Sequence, residues 1–164
     1  MRLNLRHEFA CTPEQLWTLL EDKEVDLAMV TANNGSGAWV DDRTEGDTRV
    51  IVKRVEVNRD IPGPMKKVLG TDRITYDLVV RRPAGSDRQE WSIRPMVLAD
   101  RFSGSGTTTI KATAGGCVRV IEGELAVRVP LLGGKMEARL VDDVTKSYDV
   151  GADVLRRIIA ERHG

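Results

Sequence analysis

Aromatic side chains make up only 4% of the 164 residues, too few for a base-stacking platform of the kind that holds single-stranded nucleic acid. Charge of one sign is missing as well. Lys+Arg and Asp+Glu number 25 each, so no net field gathers nucleic acid or an anionic membrane. Cysteine is down to Cys11 and Cys117, far apart and at no metal-ligand spacing, which reads as two buried or incidental thiols in a reducing cytoplasm. Long hydrophobic runs are absent too. Nowhere do about 18 apolar residues stand together, so no membrane-spanning helix is expected. The N-terminal "MRLNLRHEF" alternates polar and apolar residues instead of forming the apolar run of a signal peptide. The expectation is one cytoplasmic domain over residues 1–164, large enough to bury a core without metals or disulfides.

Catalytic motifs are equally scarce. His7 and His163 stand near opposite ends and no C-x-x-C occurs, so no metal site and no cofactor are expected. "SGSG", Ser103 to Gly106, does not match the G-x-S-x-G nucleophile elbow and reads as a strand end. "GSGTTT", Gly104 to Thr109, half-resembles a dinucleotide fingerprint but lacks the third glycine and the following helix. Asp41-Asp42 and Asp142-Asp143 are adjacent carboxylates, which point apart on a strand and lie about 100° apart on a helix. They read as solvated surface charge.

What is present is periodicity. Leu3, Leu5, His7 and Phe9 alternate with Arg2, Asn4, Arg6 and Glu8, the period of a half-buried strand. "TPEQLWTLL" then predicts a helix with Thr12 as N-cap, Pro13 in the first helical position and Gln15 completing a capping box. A second short helix is expected over Glu24 to Val30, ended by the turn residues "NNGSG". Strands follow: one begun by Trp39 and Val40, then "TRVIVKRVEV", "RITYDLVVR", "QEWSIRPMVL", "TTTIKATA" and "CVRVIEGELAVRV". Short connections between them predict an antiparallel meander. "IPGPMKKVLG" interrupts as a loop with one helical turn, since Pro62 and Pro64 deny ladder donors. Met65, Val68 and Leu69 beside Lys66 and Lys67 could make a small amphipathic lid.

The last segment changes period. Met136, Leu140, Val144, Tyr148, Leu155 and Ile159 share one side of a long amphipathic helix, roughly Lys135 to Arg162. Its approach, "VPLLGGKMEARL", fails as a phosphate loop because the Walker pattern needs glycine at 129 and Ser or Thr at 136, where Val129 and Met136 stand. It reads as a strand-to-helix joint in which Pro130 ends the strand and Gly133-Gly134 permits the change of direction. Leu131 and Leu132 either pack under the helix start or stand exposed at a cavity mouth.

The order of elements, the "TPEQLW" start of the first helix and the "VPLLGGKMEARLVDDV" start of the last resemble the START/Bet v 1-like (SRPBCC) superfamily, the helix-grip fold. More narrowly, "IPGPMKKVLG" with "GELAVRVPLLGGKMEARL" resembles a bacterial branch, the domain of unknown function 2505. The likeness runs from Leu3 to Ile159 and rests on structural joints, so it speaks to fold and hardly to chemistry. It implies an α+β domain in which a curved antiparallel sheet of six to seven strands wraps one long C-terminal helix, with two short helices after the first strand. It also implies a cavity between helix and sheet, which in relatives holds lipids, sterols, polyketides or plant hormones.

On that frame the expected function is binding of a small hydrophobic or amphipathic, lipid-like molecule, as carrier or sensor, driven by apolar burial. The expected walls are Leu5, Phe9, Leu78, Trp91, Met136, Leu140, Val144 and Leu155, with His7, Tyr76 and Tyr148 orienting the ligand. His7 has a plainer reading as a core histidine with a hydrogen-bonded neighbour. Two rival functions stay open. One is a cyclase- or hydratase-type enzyme using His7 with a tyrosine as acid and base. The other is a protein-interaction module with a filled core and an exposed apolar patch. No nucleic-acid partner and no stable membrane insertion are expected, and oligomeric state is not legible.

Overall fold

The computed structural model describes residues 1–57, 61, 63–97 and 99–163. Among them the chain forms seven strands and four helices, in the order β1 (Arg2–Phe9), α1 (Pro13–Leu20), α2 (Lys23–Ala32), β2 (Ser36–Glu45), β3 (Thr48–Val57), α3 (Gly63–Leu69), β4 (Ile74–Pro83), β5 (Arg88–Pro95), β6 (Phe102–Thr113), β7 (Gly116–Val127) and α4 (Gly133–His163). The strands make one antiparallel sheet in the order β1-β7-β6-β5-β4-β3-β2. This is the helix-grip architecture.

Local signals explain most boundaries. In β1 every second residue is buried, from Leu3 through His7 to Phe9. At α1 the capping box closes both ways: Gln15 N–H donates to Thr12 Oγ1 at 3.2 Å, and Thr12 N–H donates to Gln15 Oε1 at 2.9 Å. Asp22 caps α2 in turn, accepting from Glu24 N–H at 2.8 Å. The acidic edge strand β2 carries Asp41 and Asp42, both exposed and bonded to Arg43 and Arg49 respectively. A charged, bulged edge of this kind discourages pairing with a second sheet.

Four boundaries depart from the sequence reading. "IPGPMKKVLG" holds a seven-residue helix, α3, rather than one turn; Pro62 lies outside the described residues. β5 stops at Pro95, earlier than "QEWSIRPMVL" suggested, with one last backbone bond from Met96 N–H to the Thr75 carbonyl at 3.0 Å. "SGSG" lies inside β6, which starts at Phe102. β7 ends at Val127, before Pro130, and the turn into α4 is made by Leu131, whose φ is +67°. Gly133 serves close approach instead: a β-carbon there would stand 2.6 Å from the Val127 carbonyl oxygen. Leu132 packs under the helix start while Leu131 is fully exposed, so the two leucines divide the alternatives between them.

One core cluster is solid. Phe9, Leu16, Leu19, Val25, Ile110, Cys117, Leu155 and Ile159 pack where α1, α2 and the end of α4 meet β1, β6 and β7. The two cysteines, distant in sequence, are buried in this same cluster. Burial pushes the Cys117 thiol up to about 12 from its ordinary 9.0, with Cys11 beside it adding. The folded protein therefore keeps a proton that the unfolded chain releases. The resulting stability is complete below about pH 9 and is lost as pH rises towards about 12. Urea midpoints measured across that range should fall with pH, and Cys117→Ala should flatten the slope; an unchanged slope would refute this origin.

Candidate functional site

Helix α4 rests on β1, β7 and α2. Facing the rest of the sheet, two cavities open beneath it. The first, about 180 Å³, lies between α2, the middle of α4 and strands β3 to β7. Its wall mixes apolar residues such as Leu78, Val80 and Met29 with Gln89, Thr108 and Arg119. The second, about 170 Å³, lies under the first half of α4 and is closed by Ile61, Met65 and Leu69 at the α3 end. Ile74, Ile93, Leu125, Met136, Leu140 and Val144 make it predominantly apolar. Val57, Tyr76 and Ser147 belong to both walls, so the cavities adjoin. Together they reach the lower end of the range of small-molecule sites, roughly 300–1,000 Å³.

The sheet register shows why the inner face has this shape. Trp91 pairs with Gly106, and Gly106 with Gly123. The Trp91 ring lies across both glycines: a β-carbon at Gly106 would stand 2.7 Å from its Cζ2, and one at Gly123 would stand 2.5 Å away. In "GSGTTT" Gly106 thus helps seat a ring in the cavity wall, while Gly104 gives room to Leu125 and Ile93. The next row is Gln89, Thr108, Ile121 and Leu5, and the row after it holds Ile110, Arg119 and His7.

The expected site residues divide. Tyr76, Leu78, Trp91 and Tyr148 line the first cavity, and Met136, Leu140, Val144 and again Tyr76 line the second. Leu5, His7, Phe9 and Leu155 line neither. Phe9 and Leu155 belong to the solid core cluster, and Leu5 packs with Leu3, Ile121 and Leu125. His7 is buried with its Nε2 2.7 Å from Asp149 Oδ1, while its Nδ1 is buried without a partner among the described residues. Tyr76 and Tyr148 stand in cavity walls that do not include His7.

Arg119 was not anticipated, although its signal was available. Cys117, Ile121, Leu125 and Val127 set the inward phase of β7, and Arg119 is the charged residue that falls on it. The side chain is 9% exposed and stacks over Tyr148, with 5.2 Å from the guanidinium carbon to the ring centroid. Burial pulls its guanidinium down from the usual range, while Tyr148 and Asp26 oppose that shift. No carboxylate among the described residues forms an ion pair with it, and its Nε–H is buried without an acceptor. Asp26, whose charge acts on it, is taken up by Lys53 Nζ at 2.8 Å and by the Trp39 indole N–H at 3.0 Å. Trp91 Nε1–H, in the same wall, is likewise buried without an acceptor.

The model of one family, described as protein of unknown function (DUF2505), matches residues 4–159. The chain belongs to the DUF2505 family. Solved structures place this DUF2505 protein in a wider fold group. A protein from Thermus thermophilus, TTHA0849, is similar with a TM-score of 0.71 and 13% identity over 100% of both chains. Ms6760 from Mycobacterium smegmatis is similar with a TM-score of 0.65 and 12% identity, covering 99% of this chain and 92% of that one. A START superfamily protein from Mycobacterium smegmatis gives a TM-score of 0.61 and 11% identity, covering 98% and 97%. At such identities the likeness is one of fold. No curated protein matches the chain.

Proposed function

We propose that this DUF2505 protein binds a small hydrophobic or amphipathic, lipid-like molecule in the space between the sheet and α4, as a carrier or sensor. The observation that carries this reading is the pair of adjoining cavities beneath α4, one polar at its inner end and the other apolar. A protein-interaction module was expected to have a filled core, and these cavities favour the ligand reading over it. Removal of apolar surface from water drives the binding, at about 25 cal/mol per Å². Leu78, Trp91, Met136, Leu140 and Val144 are the proposed apolar contacts, and Tyr76 and Tyr148 the orienting ones.

The neutral fluorophore N-phenyl-1-naphthylamine tests the reading directly. The wild type should take it up with an affinity in the micromolar range, and native mass spectrometry of protein from its source organism should find a stoichiometric apolar passenger. Leu140→Trp, which fills the second cavity from its wall, should weaken uptake by about tenfold or more, the equivalent of about 1.4 kcal/mol, while the melting curve stays cooperative. A folded wild type that takes up neither probe nor passenger would refute the reading.

A further inference from the structure

We infer that the ligand is an amphipathic carboxylic acid whose carboxylate sits on Arg119 in the first cavity and whose apolar body extends into the second. This deepens the proposed function and rests on it. The inference begins from an imbalance. A guanidinium cannot shed its proton under ordinary conditions, and a buried charge is normally paired because desolvation of a lone one is costly. The Tyr148 ring stacks against Arg119, and among the described residues no carboxylate pairs with it. The other cation of the wall, Lys53, holds Asp26 at 2.8 Å, and Glu56 stands 3.8 Å from Arg73, so both wall carboxylates are engaged elsewhere.

The unmet hydrogen bonds point the same way. Arg119 Nε–H and Trp91 Nε1–H are both donors, both buried and both without an acceptor, and both residues line the same cavity. A buried guanidinium that no carboxylate pairs with among the described residues calls for an acceptor carrying negative charge. A carboxylate meets a guanidinium fork in two parallel hydrogen bonds. A phosphate monoester suits the place less well, since its charge nears two and Asp26 and Glu56 stand in the same wall. Behind the head, Val57, Tyr76 and Ser147 lead to the second cavity, where a hydrocarbon body meets Ile74, Ile93 and Leu140.

Isothermal titration of the full chain, stripped of passengers, with decanoate and with decanol is the test. The wild type should bind decanoate about tenfold or more tightly than decanol, the margin of a charge-assisted pair in a dry site. Arg119→Met should erase that preference, read as the ratio of the two affinities, and Arg119→Lys should keep part of it. Should Arg119→Met fail to fold, the Arg119 Nε–H and Trp91 Nε1–H proton resonances of the wild type decide instead. They should move with decanoate and stay still with decanol. Equal affinities for the two probes, or a preference that survives Arg119→Met, would overturn the carboxylate anchor and leave the cavity reading standing. A folded wild type that binds neither probe would overturn both.

Discussion

Gly106→Ala is expected to destabilise the protein by about 3 kcal/mol or more, at the upper end of what overpacking costs. Gly106 sits in the middle of the sheet, where β5, β6 and β7 run side by side. An alanine β-carbon there would overlap the Glu122 carbonyl oxygen and stand 2.6 Å from the Gly123 α-carbon and 2.7 Å from the Trp91 ring. Two of those three neighbours are backbone atoms held by the ladder, so relief requires shifting a strand. The third is the cavity wall itself. The substitution should therefore shift the urea midpoint and also alter the near-ultraviolet circular dichroism of Trp91. Gly115→Ala is the matched control, because a β-carbon there meets nothing within 4 Å. It should stay within about 0.5 kcal/mol of the wild type. Equal effects at the two positions would refute the close-approach account of Gly106.

The second large effect has the opposite sign. Arg119→Met should stabilise the ligand-free protein by roughly 1–4 kcal/mol, by analogy with buried ionic groups replaced by apolar side chains of similar volume. Methionine fills much of the same space, keeps contact with the Tyr148 ring and needs no hydrogen bonds. For a chain of this length each kcal/mol shifts the melting temperature by about 2–4 °C. The sign is the informative part. A guanidinium that holds the fold together would lose stability on replacement, leaving its partners unmet. One kept for a ligand leaves the empty protein less stable than it could be, as functional sites commonly do. A fall in melting temperature would show that Arg119 is structural.

The fold was legible because its signals are local and mutually consistent. Alternation in "LNLRHEF" and the capping box around Thr12 need only neighbours within a few residues, and both hold in the structure. The four-residue recurrence from Met136 to Ile159 similarly marked α4, which begins two residues before the expected start. The misjudged segments are those where a local signal had a distant cause. Glycines in "GSGT" imitate a loop or a nucleotide fingerprint because side chains from other strands need their emptiness, the Trp91 ring at Gly106 and Leu125 and Ile93 at Gly104. Two prolines in "IPGPMKK" suggested a loop, yet Pro64 occupies the first turn of α3, where its missing N–H costs little. Leu131 takes the left-handed turn that the neighbouring glycines seemed placed to supply.

The site was half legible for the same reason. Phase along a strand puts Tyr76, Leu78 and Trp91 on the inner face, but it does not tell which part of that face is filled. Leu5, Phe9 and Leu155 have the same inward phase and lie against other apolar residues. Met136, Leu140 and Val144 lie along the half of α4 that stands over a gap. Whether a residue is core or wall depends on what stands opposite it, and that is a property of the assembled layers. Periodicity and capping by themselves determined the elements, their order and the inward faces, since each depends on contacts within one element. Tertiary structure alone decided that Cys11 meets Cys117, that Asp149 takes His7, that Lys53 claims Asp26, and hence that no carboxylate among the described residues pairs with Arg119. The reason is physical: a charge is matched or unmatched only by what the other strands and helices bring beside it.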